Sequence, residues 1–201
     1  MSIDQTAFRT AVPTILIEPQ SVGEAVFLIG GGHCGQAIAK LCAECGLFVT
    51  IVEDRSDLLP DLPPGIAVVT EPDYAKFIRG REWSADEALL IVSRQHELDR
   101  VALAAALERC HAGYIGMIGS RRKVLRVFDH LQGFPGADRL GEIYAPLGLD
   151  IGADTPEAIA LSIIAEIQAV LSGREGGFLR ERLDSIYDRK KAFPAFEVAR
   201  S

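Results

Sequence analysis

A doubly wound α/β fold, a mainly parallel sheet with helices on both faces, is what the sequence predicts, and two observations predict it. Short apolar, partly β-branched runs alternate with longer segments of helical period, which is the pattern of repeated βαβ units. Glycines and polar residues gather just after the apolar runs, where a doubly wound sheet opens its crevice beyond the carboxyl ends of the strands.

The runs AVFLI (25–29), FVTIVE (48–53), IAVVT (66–70), ALLIVS (88–93) and YIGMI (114–118) are apolar at successive positions. A strand covered on both faces needs that composition, so each is read as a buried parallel strand. Helices are expected at 34–45, 97–110, 121–131 and 156–171. The last is the most legible, because Ala160, Ile163, Ile164, Ile167, Val170 and Leu171 fall on one stripe. Its start reads two ways: Thr155 caps it with Pro156 at the first helical position, or Asp154 caps it in a box with Glu157. Gly173 stands where a glycine stops a helix. Residues 1–22 are read as a leader, 23–173 as one domain, and 174–201 as a C-terminal tail suited to pack on a partner.

Bulk properties narrow the function classes. With 201 residues, 48% of them hydrophobic, the chain buries one substantial core but is short for two domains. A formal net charge of -7 argues against nucleic acid or an anionic membrane surface as partner. No apolar run approaches the roughly 20 residues that span a bilayer, and MSIDQTAFRT lacks the basic and apolar parts of a secretory signal. A cytoplasmic protein is therefore expected. Four cysteines without scaffold-like spacing fit reduced thiols.

The first strand runs into IGGGHCGQ (29–36), a GxGxxG that follows a strand and opens a helix. In this Rossmann-like setting Gly30 makes the tight turn, Gly32 lets a phosphate approach the backbone, and Gly35 lets the helix pack closely on the sheet, with Gly31 counted among the cofactor-binding candidates. Helix N–H groups then face the anion. Glu53 follows by roughly the 20 residues at which a carboxylate accepts hydrogen bonds from a ribose. It disfavours a 2′-phosphate, an effect that Arg55, two residues on, blunts. The alternative is a glycine turn that only fits helix to sheet.

Other strand ends add candidates. Ser93, Arg94 and His96 follow the fourth strand, with His96 at a helix start as a hydrogen-bonding or metal-coordinating imidazole and Asp99 one turn on. A His–Asp cap on the helix is the plainer account. Gly119, Ser120, Arg121, Arg122 and Lys123 follow the fifth strand, with Ser120 as cap and three cations in a first turn that the helix dipole makes unfavourable for them. A bound phosphate reverses that penalty, whereas solvated side chains leave it standing. Cys42 and Cys45 form a CxxC late in a helix, where packing is the simpler role. His33 and Cys34 stand in the glycine loop where the ligand is expected, and Cys34 and His96 are the candidates for any catalytic role. No metal site and no hydrolytic triad are declared by spacing.

IGGGHCGQAIAKLCAECGLFVTIVEDR, SRQHELD, YIGMIGSRRK and above all GLDIGADTPEAIALSIIAEI resemble, in order and spacing, the Rossmann-like domain of the XdhC/CoxI family over about residues 25–172. The resemblance implies an accessory factor, a chaperone for the molybdenum cofactor of xanthine and carbon monoxide dehydrogenases, that binds the cofactor and assists its modification and insertion. The family pattern falls on Gly30, Gly32, His33, Gly35, Glu53, Asp54, Arg55, His96, Asp99, Gly119, Ser120, Arg121, Arg122, Gly148, Asp150, Gly152 and Pro156. Longer members carry an N-terminal domain with Pro-Arg and Gly-Gly-Cys motifs. This sequence has a short stretch there, with LIEPQ resembling the connector, so a separate polypeptide or a sulfur donor is an expected partner.

The cargo implied is molybdopterin or its dinucleotide form, and a pterin dinucleotide carries the ribose and pyrophosphate that suit the glycine loop and Glu53. An NAD(P)-dependent oxidoreductase using the same loop is the alternative, and a scaffold acting through its surfaces a third reading. Partners expected are the target molybdenum hydroxylase and a second copy of the chain, as a dimer or other homo-oligomer.

Overall fold

The computed structural model describes residues 25–55, 59 and 62–181, so the leader and positions 182–201 of the tail lie outside the described residues. Strands β1 (Ala25–Ile29), β2 (Phe48–Glu53), β3 (Ile66–Thr70), β4 (Glu87–Ile91) and β5 (Tyr114–Met117) form one sheet in the order β3-β2-β1-β4-β5. Every pairing is parallel, and β1 is central, with Ala25 opposite Phe48 on one side and Glu87 on the other. Parallel pairing requires crossovers. Helices α1 (His33–Glu44), α2 (Tyr74–Arg79), α3 (His96–Arg109), α4 (Arg121–Leu131) and α5 (Pro156–Leu171) lie in or after them. Strand order reverses between β1 and β4, which is the switch point of a doubly wound sheet.

Two cores follow from the two-residue period of the strands. Val26 and Leu28 pack with Ile38, Ala39 and Cys42 of α1 and with Ile163 and Ile167 of α5. Ile29, one residue out of phase, packs with Ala102, Leu103 and Ala106 of α3 and Val124 and Val127 of α4. The sheet is thus covered on both faces, as expected.

Three details differ from or decide the sequence expectations. β3 is a strand, but an edge strand whose Ala67 and Val68 are exposed, Val68 at 43%. Its branched apolar composition reports a strand, not what covers it. α2, not expected, is only six residues long, capped by the Asp73 carboxylate accepting from the Lys76 N–H at 3.0 Å. Such a helix is too short to show a period. At α5 the cap is Thr155, whose Oγ1 accepts from the Ala158 N–H at 3.2 Å, with Pro156 next; Gly173, at φ 66°, closes the other end. Among the described residues no helix is long and apolar enough to cross a membrane.

Candidate functional site

The glycine loop leaves β1 at the switch point. Gly30 sits at φ 114°, and a Cβ there would meet the Ser93 Cα at 2.8 Å, so only glycine lets the loop pass over the end of β4. Gly35 is pressed against the Gly30 carbonyl, which brings α1 onto the sheet. Gly32 is different. It is exposed, in extended backbone at φ −66°, and a Cβ there would meet nothing within 4 Å. As N-cap of α1 it offers no side chain to the first-turn amides, so the helix opens uncapped at its positive end. That end faces a cleft of about 220 Å³ lined by Gly31, Gly32, His33, Gln36, Glu53, Arg55, Leu59 and Arg94.

Glu53 forms the floor of the cleft and is 6% exposed. Its Oε2 accepts from the Gly31 N–H at 2.6 Å, and its Oε1 from the Arg55 N–H at 3.3 Å and from Arg94 Nη1 at 3.2 Å. Arg94, from the loop after β4, also donates to both oxygens of Asp54 at 2.8 and 2.7 Å. A guanidinium fork therefore bridges the ends of β2 and β4, the two strands flanking β1. The Arg94 hydrogen bonds hold the Asp54 carboxyl well below the usual carboxylate range, and Asp54 in turn raises Arg94. Tyr74 of α2 donates to Asp54 at 3.4 Å; burial first, then the charges of Glu53 and Asp54, push its phenol up to about 12.

The sequence candidates are not gathered in one crevice. Gly31, Gly32, His33, Glu53 and Arg55 line the cleft, others line a separate cavity that shares no residue with it, and the rest line neither. His96, Ser120 and Arg122 line a groove of about 320 Å³ between α3 and α4, together with Glu97, Arg100, Lys123, Arg126, Val127 and His130. Ser93 lines neither. Its hydroxyl and N–H both donate to Asp99 Oδ1, at 2.6 and 3.2 Å. Asp99, fully buried, forms an ion pair with Lys123, whose Nζ also donates to the Ile118 carbonyl at 3.0 Å. So Asp99 is fastened to Ser93 and Lys123 rather than forming a cap with His96. Gly119 makes room for the Lys123 stem, which a Cβ would meet at 2.5 Å, and Arg121 is exposed outside both cavities.

In the opening loop His33 lines the cleft and half-buried Cys34 does not. His33 also lines a third cavity, about 400 Å³, between α1 and the start of α5. Cys42 is fully buried, and burial, with Cys45 second, pushes its thiol up to about 12, far from a reactive thiolate. Among the described residues no three His, Cys, Asp or Glu side chains are grouped to hold a metal ion. Sequence reasoning missed Gln36, whose Nε2 donates to the Gly31 carbonyl at 2.8 Å and braces the loop. It also missed Arg126 and His130, which repeat Arg122 at intervals of four, the signal of one helix face.

A family model described as the XdhC Rossmann domain matches residues 26–167. The chain belongs to the XdhC Rossmann-domain family. Of its relatives, an uncharacterized protein from Escherichia coli K12, YqeB, is 30% identical over 169 residues, 83% of this chain and 31% of the relative. A Bacillus subtilis protein named as a probable xanthine dehydrogenase component is 27% identical over 156 residues, 75% of this chain and 43% of that protein. A crystal structure described as a xanthine dehydrogenase from Bacillus halodurans superposes with a TM-score of 0.62 at 25% identity, over 75% of this chain and 45% of that one. This XdhC domain thus spans less than half the length of each of these three proteins.

Proposed function

We propose that this XdhC domain is an accessory and maturation factor for a molybdenum hydroxylase, holding the molybdenum cofactor, as molybdopterin or its dinucleotide, while it is modified and inserted. The observation that carries the reading is the uncapped start of α1 at Gly32, opening onto a cleft whose floor is the Glu53 carboxylate. Family membership and the xanthine dehydrogenase names of two relatives support the accessory role and the association with a molybdenum hydroxylase.

The donor and acceptor set suits a dinucleotide form. Free helix amides and the open space over Gly32 suit a pyrophosphate, with Arg55 beside it. Glu53 already accepts three hydrogen bonds, and a carboxylate has about four lone-pair sites. It therefore takes one ribose hydroxyl, on Oε2, rather than gripping both. When bound, the cargo supplies the molybdenum chemistry of the target enzyme. The chain's part is to seat phosphate and ribose, and the expected partners are the hydroxylase, a sulfur donor or separate N-terminal-domain protein, and a second copy.

The test is to purify the protein from a host that makes molybdenum cofactor, denature it, and analyse the small molecules released. A pterin is expected. NAD or NADP without a pterin sinks the reading in favour of an NAD(P)-linked oxidoreductase at the same cleft.

A further inference from the structure

We infer that the groove between α3 and α4 is a second binding site, for a phosphate group, free or carried on a small molecule. It shares no residue with the glycine-loop cleft and does not rest on the maturation reading.

The groove concentrates positive charge in a chain whose net charge is -7. Four of its nine lining residues are the cations Arg100, Arg122, Lys123 and Arg126, against one acid, Glu97, and two more are the imidazoles His96 and His130. Internal pairing accounts for part of this. Arg100 is tied to Glu97 and Lys123 to the buried Asp99 beneath. Arg122 and Arg126 have no carboxylate partner among the described residues.

Their placement is unfavourable on its own. Arg122 and Arg126 stand four residues apart on α4, where like charges repel, and His130 follows at the same interval. Arg122 also lies in the first turn, where the helix dipole opposes a cation. A dianion set between the two guanidiniums removes both costs, and a guanidinium fork matches phosphate oxygens in pairs. The His130 ring is held in the groove by Nδ1, which is 2.6 Å from the Arg126 carbonyl. Val127 gives an apolar patch, and about 320 Å³ accommodates a phosphate with a small carbon skeleton.

The experiment titrates the full chain with inorganic phosphate and with ribose 5-phosphate, followed by calorimetry and by amide and arginine side-chain NMR. Both probes are expected to bind, to shift Arg122 and Arg126 signals, and to weaken as salt rises. Arg122→Gln with Arg126→Gln is expected to lose about tenfold or more in affinity, as two charge-assisted contacts go. Both side chains are exposed, so circular dichroism of the double variant should match the parent. Gly32→Leu, which fills the other cleft, should leave phosphate binding at the groove unchanged. Tighter binding of the ester identifies a phosphoester ligand, and equal binding identifies the phosphate group alone. Undiminished affinity in the double variant, shifts confined to the His33–Gly35 amides, no binding of either probe, or capture of a polyglutamate peptide instead of phosphate would overturn the inference.

Discussion

Glu53 and Asp54 are neighbours with separate work. Glu53 holds the glycine loop by the Gly31 N–H, whereas Asp54 holds Arg94 across the sheet end. Replacing Glu53 with alanine leaves two backbone N–H groups without their acceptor, a loss of about 1–3 kcal/mol. Urea unfolding should show the lower midpoint, and Glu53→Gln, which keeps one acceptor oxygen, should fall less. Asp54 contributes in a pH-dependent way. Its folded pKa is lowered by the Arg94 hydrogen bonds, so its stabilisation is present above the unfolded value of about 3.9 and is lost as pH falls below it. The melting-temperature gap between the parent and Asp54→Asn should be open at neutral pH and should narrow below about pH 4. A gap that stays constant with pH would show that the Arg94–Asp54 contact adds nothing through charge.

At the scale of elements, two polar ties fix the helices to the sheet. Asp99 of α3 joins Ser93, beyond β4, to Lys123 of α4. Asp99→Ala strands Lys123, 14% exposed as a side chain, and two Ser93 donors; removing one partner of a buried pair costs about 3–5 kcal/mol, which thermal unfolding would register as a fall of roughly 2–4 °C per kcal/mol. On the other face Glu166 of α5 accepts from the Tyr114 hydroxyl of β5 and from the Gly148 N–H at 2.8 Å. This gives a structural role to part of GLDIGADTPEAIALSIIAEI: the segment returns the chain to the sheet and docks α5 upon it. Glu166→Ala should cost about 1–3 kcal/mol, and adding Tyr114→Phe should cost less than the sum, since the two share one bond. The long helices were legible because eleven or more residues display a period. α2 was not, with six residues between its caps Asp73 and Gly80. Nor was the exposure of β3, because edge position is decided by pairing between distant segments.

Across the whole molecule, the sequence placed the glycine loop and Glu53 together because their spacing follows from one βαβ unit. It grouped His96 and Arg122 with them on the same logic of strand ends, yet these line the α3–α4 groove instead. Which loops face each other past the switch point depends on side chains such as Arg94, forty residues from Asp54, and a single sequence carries no local sign of that pairing. The two cavities make separable demands, and Gly32 tests the first. Its backbone is extended and its surroundings are open, so Gly32→Leu should leave the unliganded protein within about 0.5 kcal/mol of the parent. The same side chain occupies the seat at the start of α1. A cleft ligand at 100 times its dissociation constant adds about 2.7 kcal/mol to the parent, and with the α3–α4 groove silenced in both proteins by Arg122→Gln and Arg126→Gln, that increment should vanish in Gly32→Leu when each is melted with pyrophosphate. Equal stabilisation of both proteins would remove the glycine loop from the binding site and leave Gly32 as a turn between β1 and α1.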